Sequence, residues 1–85
     1  MIRYMPNLDS LLWSRKSMEY FNTLDELKSF IADQRTRFYS FIGMPKTYQP
    51  EQVQLIAGTG HDLITGFVNC CSVILDGHLL GFCGE

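Results

Sequence analysis

The chain has 85 residues with a formal net charge of −2, and 46% of them are hydrophobic and 19% charged. This length leaves room for one domain, residues 1–85, and the composition is that of a globular protein rather than a disordered chain. The weak charge implies no partner of either sign, no apolar run approaches the roughly 20 residues of a membrane span, and three cysteines do not make a secreted disulfide framework. We therefore expect a cytoplasmic protein without a membrane segment.

The first 16 residues allow two interpretations. Met1–Met5 is compatible with a short strand that ends at a Pro-Asn pair. The apolar residues that follow have loosely helical spacing, but they also suit an irregular arm laid on the core. In either case Leu11, Leu12 and Trp13 require burial, against this chain or against another copy. Met18–Phe21 is then predicted to form a strand.

A long amphipathic helix, Leu24–Ile42, is the central predicted element. Thr23 and Glu26 form a capping box, in which the Thr23 hydroxyl accepts from the Glu26 N–H and the Glu26 carboxylate accepts from the Thr23 N–H. Gly43 followed by Pro45 is typical of a helix end. The apolar residues predicted to face the core recur at helical spacing: Leu24, Leu27, Ile31, Phe38, Phe41 and Ile42.

The aromatic, β-prone stretch Arg37–Ile42 offers an alternative, in which the helix ends near Gln34 and a strand follows. No Gly, Pro, Asn or Asp marks that junction, and the end signal at Gly43 would then have no helix to close. The long helix is therefore favoured.

After the helix, the alternation in Gln52–Ile56 predicts a half-exposed strand with Val53 and Leu55 turned inward. Phe67–Leu75 and His78–Cys83 are apolar and are separated by Asp-Gly, the residue pair typical of a type I′ hairpin turn. Continued without interruption, that turn pairs Val73 with Leu80, Cys71 with Phe82 and Cys70 with Cys83.

Both faces of this hairpin are apolar. The predicted register puts Phe67, Cys71, Val73, Leu75, Leu80 and Phe82 on one face, and Val68, Cys70, Ser72, Ile74, Leu79, Gly81 and Cys83 on the other. One helix covers only one face of a small sheet, so the other must be covered by the N-terminal segment, another copy or a partner. The possible interface residues are Leu11, Leu12, Trp13, Val68, Ile74 and Leu79.

Chemical signatures are weak. Cys70 and Cys83 are predicted cross-strand neighbours, which would suit a thiol or metal site, although such a pattern more often reflects two small hydrophobic thiols in a sheet. His61–Asp62 resembles a base with its orienting carboxylate, a pattern more often found as solvated loop residues. We expect no cofactor, no bound metal and no catalytic residue.

Nucleic-acid binding is a second possibility. Lys28, Arg35 and Arg37 lie on the predicted helix and are able to contact phosphate, although nucleic-acid binders usually show a stronger basic field.

The stretches RTRFYSFIG (Arg35–Gly43) and ILDGHLLGFCGE (Ile74–Glu85) resemble short uncharacterised proteins of bacterial conjugative or other mobile elements. The resemblance covers about a quarter of the chain. It implies a bacterial or phage origin, and it carries no activity and no functional residue.

The sequence thus predicts an α+β fold, with one long helix packed on a small antiparallel sheet that ends in a C-terminal hairpin. The leading functional interpretation is a non-enzymatic protein-interaction or self-associating module. A nucleic-acid-associated regulator and a thiol or metal site are the alternatives.

Overall fold

The computed structural model describes residues 1–7, 18–58 and 65–85. Its elements are β1 (Ile2–Pro6), β2 (Glu19–Phe21), α1 (Leu24–Phe41), a 3₁₀ helix (Pro50–Gln52), β3 (Gln54–Ala57), β4 (Cys71–Leu75) and β5 (His78–Gly84). The five strands form one antiparallel sheet in the order β2-β1-β5-β4-β3, and α1 packs across one face. The predicted α+β fold with a C-terminal hairpin is confirmed.

The helix begins and ends where the sequence indicates. The Thr23 hydroxyl accepts from the Glu26 N–H at 3.2 Å, whereas the Glu26 carboxylate accepts from the Asn22 N–H, one residue earlier than predicted. At the other end Gly43 has a φ of 83°, and the N–H groups of Gly43 and Met44 donate to the carbonyls of Ser40 and Tyr39. This is a Schellman motif, so residues 37–41 are helical and the strand alternative is wrong.

The hairpin turn is also as predicted, but its register is not. Asp76 and Gly77 both have positive φ, and Leu75 pairs with His78. Beyond Ile74–Leu79 the register skips Leu80, so Val73 pairs with Gly81 and Cys71, not Cys70, pairs with Cys83. This β-bulge reverses the alternation of β5, which turns Cys83 towards the helix and Phe82 away from it.

The stretch Phe67–Cys70, predicted as the start of a strand, lies outside β4. Positive φ values at Gly66 and Asn69 bend the chain there. Phe67 and Cys70 instead pack with Met5 in a second cluster, against which Met18 and Phe82 also pack. Since Met5 and Phe82 alternate with the helix-facing Tyr4 and Cys83, this cluster covers part of the far face of the sheet.

The remaining strands agree with prediction in identity and differ slightly in bounds. The N-terminal strand runs one residue further than predicted, and Pro50–Gln52 forms a 3₁₀ turn before β3. Val53 is buried and Leu55 packs against the main core, as expected. The predicted interface residues Leu11, Leu12 and Trp13 and the pair His61–Asp62 lie outside the described residues. In the described part of the chain, no helix is both long and apolar enough to cross a membrane.

Candidate interaction surface

The C-terminal end of α1 exposes four large apolar side chains. Phe41 is 90% exposed, and Phe38, Ile42 and Met44 are 46%, 48% and 45% exposed. Phe38, Phe41 and Ile42 stand at i, i+3 and i+4, so their side chains are neighbours on the helix surface. We refer to these four residues as the overhang cluster.

The cluster arises because the last turns of α1 bury Tyr39 and not the side of the helix that carries Phe38, Phe41 and Ile42. The 18 residues of α1 are about 27 Å long, and only Leu27, Ile31, Ala32 and Tyr39 are buried. Leu24, Phe38, Phe41 and Ile42 were predicted to face the core, and for these four the prediction was wrong. Their spacing is helical, but the buried side of the helix shifts from Leu27 and Ile31 to Tyr39 in the last turns, where Tyr39 packs beside Tyr48 in the main core.

A pair of cations lies beside the overhang cluster on the ring of Tyr39. The Arg35 guanidinium carbon is 5.2 Å and the Lys46 Nζ 4.7 Å from the ring centroid, and Arg35 also lies 4.8 Å from the Phe38 ring. Among the described residues, no carboxylate is within ion-pair distance of either cation. The Asp33–Arg37 ion pair on α1 involves two exposed side chains.

Tyr48 holds in place the connector that contains Lys46, the segment 42–49 between α1 and the 3₁₀ helix. Its N–H donates to the Thr36 hydroxyl and its own hydroxyl donates to Asp76 Oδ2, both at 2.9 Å. Its ring lies 5.9 Å from the Tyr39 ring, centroid to centroid. The helix, the connector and the hairpin turn are therefore tied together directly beside the exposed cluster.

An open groove of about 680 Å³ lies between the second half of α1 and the sheet. We refer to it as the helix–sheet groove. The helix contributes Ile31, Gln34, Arg35 and Phe38, and the strands and their ends contribute Tyr4, Pro6, Asn7, Glu19, His78, Leu79 and Leu80. Phe38 belongs to both the groove and the overhang cluster, so the two features form one continuous surface.

Tyr4 forms the floor of this groove as a neutral hydrogen-bond donor. Its hydroxyl donates to the Leu80 carbonyl at 3.0 Å, and burial raises its pKa well above the ordinary value of 10.0. Cys83 adds to this rise, whereas the charge of Arg35 opposes it. The Arg35 guanidinium is thus close enough to act on the groove floor electrostatically.

The interface residues predicted on the hairpin are only partly exposed. Val68 is exposed, Leu79 is 40% exposed and lines the helix–sheet groove, and Ile74 is half-buried. Val68 exchanges two backbone hydrogen bonds with Glu85, each 2.9 Å long, beside the end of β5. These residues do not form one surface with the overhang cluster, apart from Leu79 through the groove.

The three thiols are free and lie in two environments. Cys83 belongs to the main core and Cys70 to the second cluster, with Cys71 directly opposite Cys83. Burial, followed by the neighbouring Cys71 and Cys70, raises the pKa of Cys83 to about 12, which disfavours a reactive thiolate. Within the described ranges, no group of three or more His, Cys, Asp or Glu side chains could hold a metal ion.

The three cations considered for nucleic-acid binding do not share one surface. Lys28 and Arg35 are seven residues apart and lie on the same side of α1, whereas Arg37 points almost to the opposite side and pairs with Asp33. Arg35 instead lies with Lys46 on the Tyr39 ring. Lys46 was not predicted as a site residue because it lies in the connector and not on the helix. The apolar stripe that continues up to Gly43, with Met44 just beyond, was the available signal for the overhang.

Comparisons of the chain with protein-family models, with curated proteins and with solved structures gave no match.

Proposed function

We propose that this protein is a non-enzymatic interaction module that docks a protein partner, in the simplest case a second copy of itself, through the overhang cluster. The observation that carries the proposal is the exposure of Phe38, Phe41 and Ile42 side by side on the helix surface, with Met44 exposed two residues further along the chain. Contiguous exposed apolar side chains at one place on a small protein are typical of interaction sites.

The surroundings of the cluster support the same proposal. The capped helix end and the Tyr48 hydrogen bonds hold its backbone in place, so little ordering is needed on binding. Aromatic and methionine side chains are enriched in the cores of interfaces, and two cations beside them would supply a polar rim.

Sedimentation velocity over a range of concentrations, up to millimolar, tests the self-associating form. We expect dimerisation that Phe41→Ser weakens by at least about tenfold, because the substitution removes the most exposed ring at the interface. Leu24→Ser is the matched control, since Leu24 is an exposed apolar residue at the opposite end of the same helix. This control is expected to associate like the wild type.

A partner other than a second copy is tested by selecting a random-peptide library on the immobilised full-length chain. We expect enriched peptides whose binding Phe41→Ser weakens and Leu24→Ser does not. A wild-type chain that stays monomeric, together with a library that yields no Phe41-dependent peptide, would contradict the proposal.

A further inference from the structure

The helix–sheet groove has the size and lining of a binding site. Its volume of about 680 Å³ lies within the range of roughly 300–1,000 Å³ typical of ligand pockets. Its apolar lining comes from Ile31, Phe38, Leu79 and Leu80, and polar side chains, among them Gln34, Arg35 and His78, form the rest. A groove of this kind accepts apolar side chains and fixes their orientation through a small number of polar contacts.

Arg35 is a cationic side chain of the groove that is positioned to bind an anion. Its guanidinium lies against the rings of Phe38 and Tyr39, and these cation–π contacts restrict its side-chain freedom. The N–H edge of a stacked guanidinium remains available, and its geometry matches a carboxylate in a bidentate hydrogen-bonded pair. In the described part of the chain no carboxylate takes this role.

The neighbouring charges favour an acidic partner at this end of the helix. Lys46 adds a second cation, 4.7 Å from the Tyr39 ring centroid, although the chain as a whole is acidic. Asp33 is paired with Arg37, and Asp76 accepts the Tyr48 hydroxyl. Glu19 also lines the groove but is not within ion-pair distance of Arg35.

We propose that the groove and the overhang cluster together dock a peptide segment in which an acidic side chain lies between apolar ones. The acidic side chain pairs with Arg35, with Lys46 nearby, and the apolar side chains cover Phe38 and the rest of the cluster. The inference rests on the proposed function and adds the chemistry of the partner to it.

The same library selection on the full-length chain tests this, read now for composition and for dependence on Arg35. We expect the enriched peptides to carry Asp or Glu beside apolar residues. Their affinity should fall at least about tenfold in Arg35→Met, because a charge-assisted bidentate pair is lost while the stacked methylene surface is kept. Arg37→Met, which removes an exposed cation from the other side of the helix, should change the affinity less than about twofold.

Arg35→Lys separates loss of the contact from loss of the fold. It keeps the charge and loses the planar fork, so we expect an intermediate affinity, and a wild-type-like far-UV spectrum and unfolding midpoint for all three variants. If Arg35→Met unfolds, Arg35→Lys and the salt dependence of wild-type binding carry the test, with affinity expected to fall as salt rises.

Several outcomes would overturn the assignment. Enriched peptides that are neutral or basic, or that bind Arg35→Met as tightly as the wild type, would remove the acidic partner. If those peptides still depend on Phe41, the interaction surface survives without it. Decanoate is the probe for a small carboxylic acid as the occupant. If it binds as tightly as the best peptide and its binding depends on Arg35, the groove binds a small carboxylic acid and not a peptide.

Discussion

The carbonyl of Leu80 shows how one irregular residue organises the middle of the sheet. The β-bulge at Leu80 interrupts the ladder between β4 and β5. On the other side of β5, the Leu80 carbonyl accepts from the Tyr4 hydroxyl at 3.0 Å and the Asn7 N–H at 2.9 Å. Both donors belong to β1 or the residue after it, so the bulged residue remains fastened to β1.

Gly81, directly after the bulge, is required for that close approach. A Cβ at this position would collide with the Met5 carbonyl oxygen and would lie 2.7 Å from the Tyr4 ring. The Met5 oxygen is a backbone atom of the paired strand and cannot move aside as a flexible side chain would. Space, rather than an unusual backbone angle, is thus the constraint at Gly81.

We predict that Gly81→Ala destabilises the protein by about 2 kcal/mol, the cost typical of adding a methyl group to a closely packed site. Urea unfolding followed by far-UV circular dichroism measures the change. Gly43→Ala provides a contrast, because open space surrounds Gly43 and its cost comes from a φ of 83°. Replacing Tyr4 by leucine should reduce the destabilisation caused by Gly81→Ala but not that caused by Gly43→Ala. If Gly81→Ala destabilises the wild type and the Tyr4→Leu variant equally, crowding by the Tyr4 ring is not the cause.

At the scale of the element, α1 is the part of the fold that the sequence specifies most directly. Its start depends on the Thr23 hydroxyl and the Glu26 carboxylate, and its end on Gly43. These are contacts between residues at most four apart, so their geometry is nearly independent of the rest of the chain. Local signals of this kind can be read from sequence alone.

We predict that Thr23→Ala lowers the free energy of unfolding by about 1 kcal/mol, since the Glu26 N–H loses its side-chain acceptor. Thr23→Ser should restore most of this loss because it keeps the accepting oxygen. Chemical denaturation checks the series, with Thr47→Ala, an exposed threonine of the connector, as the control. A Thr23→Ser variant as unstable as Thr23→Ala would show that the hydroxyl is not the stabilising group.

The sheet and the candidate interaction surface were predictable only in part, for a physical reason. The Asp76–Gly77 turn fixes the first two pairs of the hairpin, Leu75–His78 and Ile74–Leu79. The bulge that follows lies where Leu80 contacts Tyr4, more than 70 residues away in sequence. A turn cannot specify what a distant strand imposes on the ladder.

The same limit explains the misplaced apolar stripe. Helical spacing shows that Phe38 and Ile42 share a side with Ile31, but it does not show that the last turns bury Tyr39 and leave that side exposed. The boundary between core and interaction surface is a property of the assembled layers. It therefore became visible only when helix and sheet were placed together.

At the scale of the whole molecule, the helix and the sheet pack around tyrosine and cysteine side chains that are protonated in the folded state. Tyr4 and Cys83 lie in the core between helix and sheet, and Tyr48 joins the helix to the hairpin turn. Burial raises the pKa of all three, to about 12 for Tyr48 and for Cys83. The native packing therefore depends on these groups keeping their protons.

This dependence gives the direction of the pH effect. The ordinary pKa values are 9.0 for cysteine and 10.0 for tyrosine, so above these values the unfolded chain releases protons that the folded chain still holds. The stabilising contribution is complete below about pH 9 and is lost as the pH rises towards 12. For a buried group such as Tyr4, a proton released only on unfolding makes the free energy of unfolding fall by roughly 1.4 kcal/mol per pH unit.

We therefore predict that the urea midpoint falls steadily between pH 9 and 12, and that Tyr4→Phe makes this fall shallower. At neutral pH Tyr4→Phe should cost about 1 kcal/mol, because the Leu80 carbonyl loses a donor. Tyr20→Phe is the control, since Tyr20 is more than half exposed and its replacement should leave the pH profile unchanged. If the urea midpoint of Tyr4→Phe falls with pH as steeply as that of Tyr20→Phe and the wild type, burial does not keep the Tyr4 hydroxyl protonated. The description of Tyr4 as a neutral donor at the floor of the groove beside Arg35 would then be wrong.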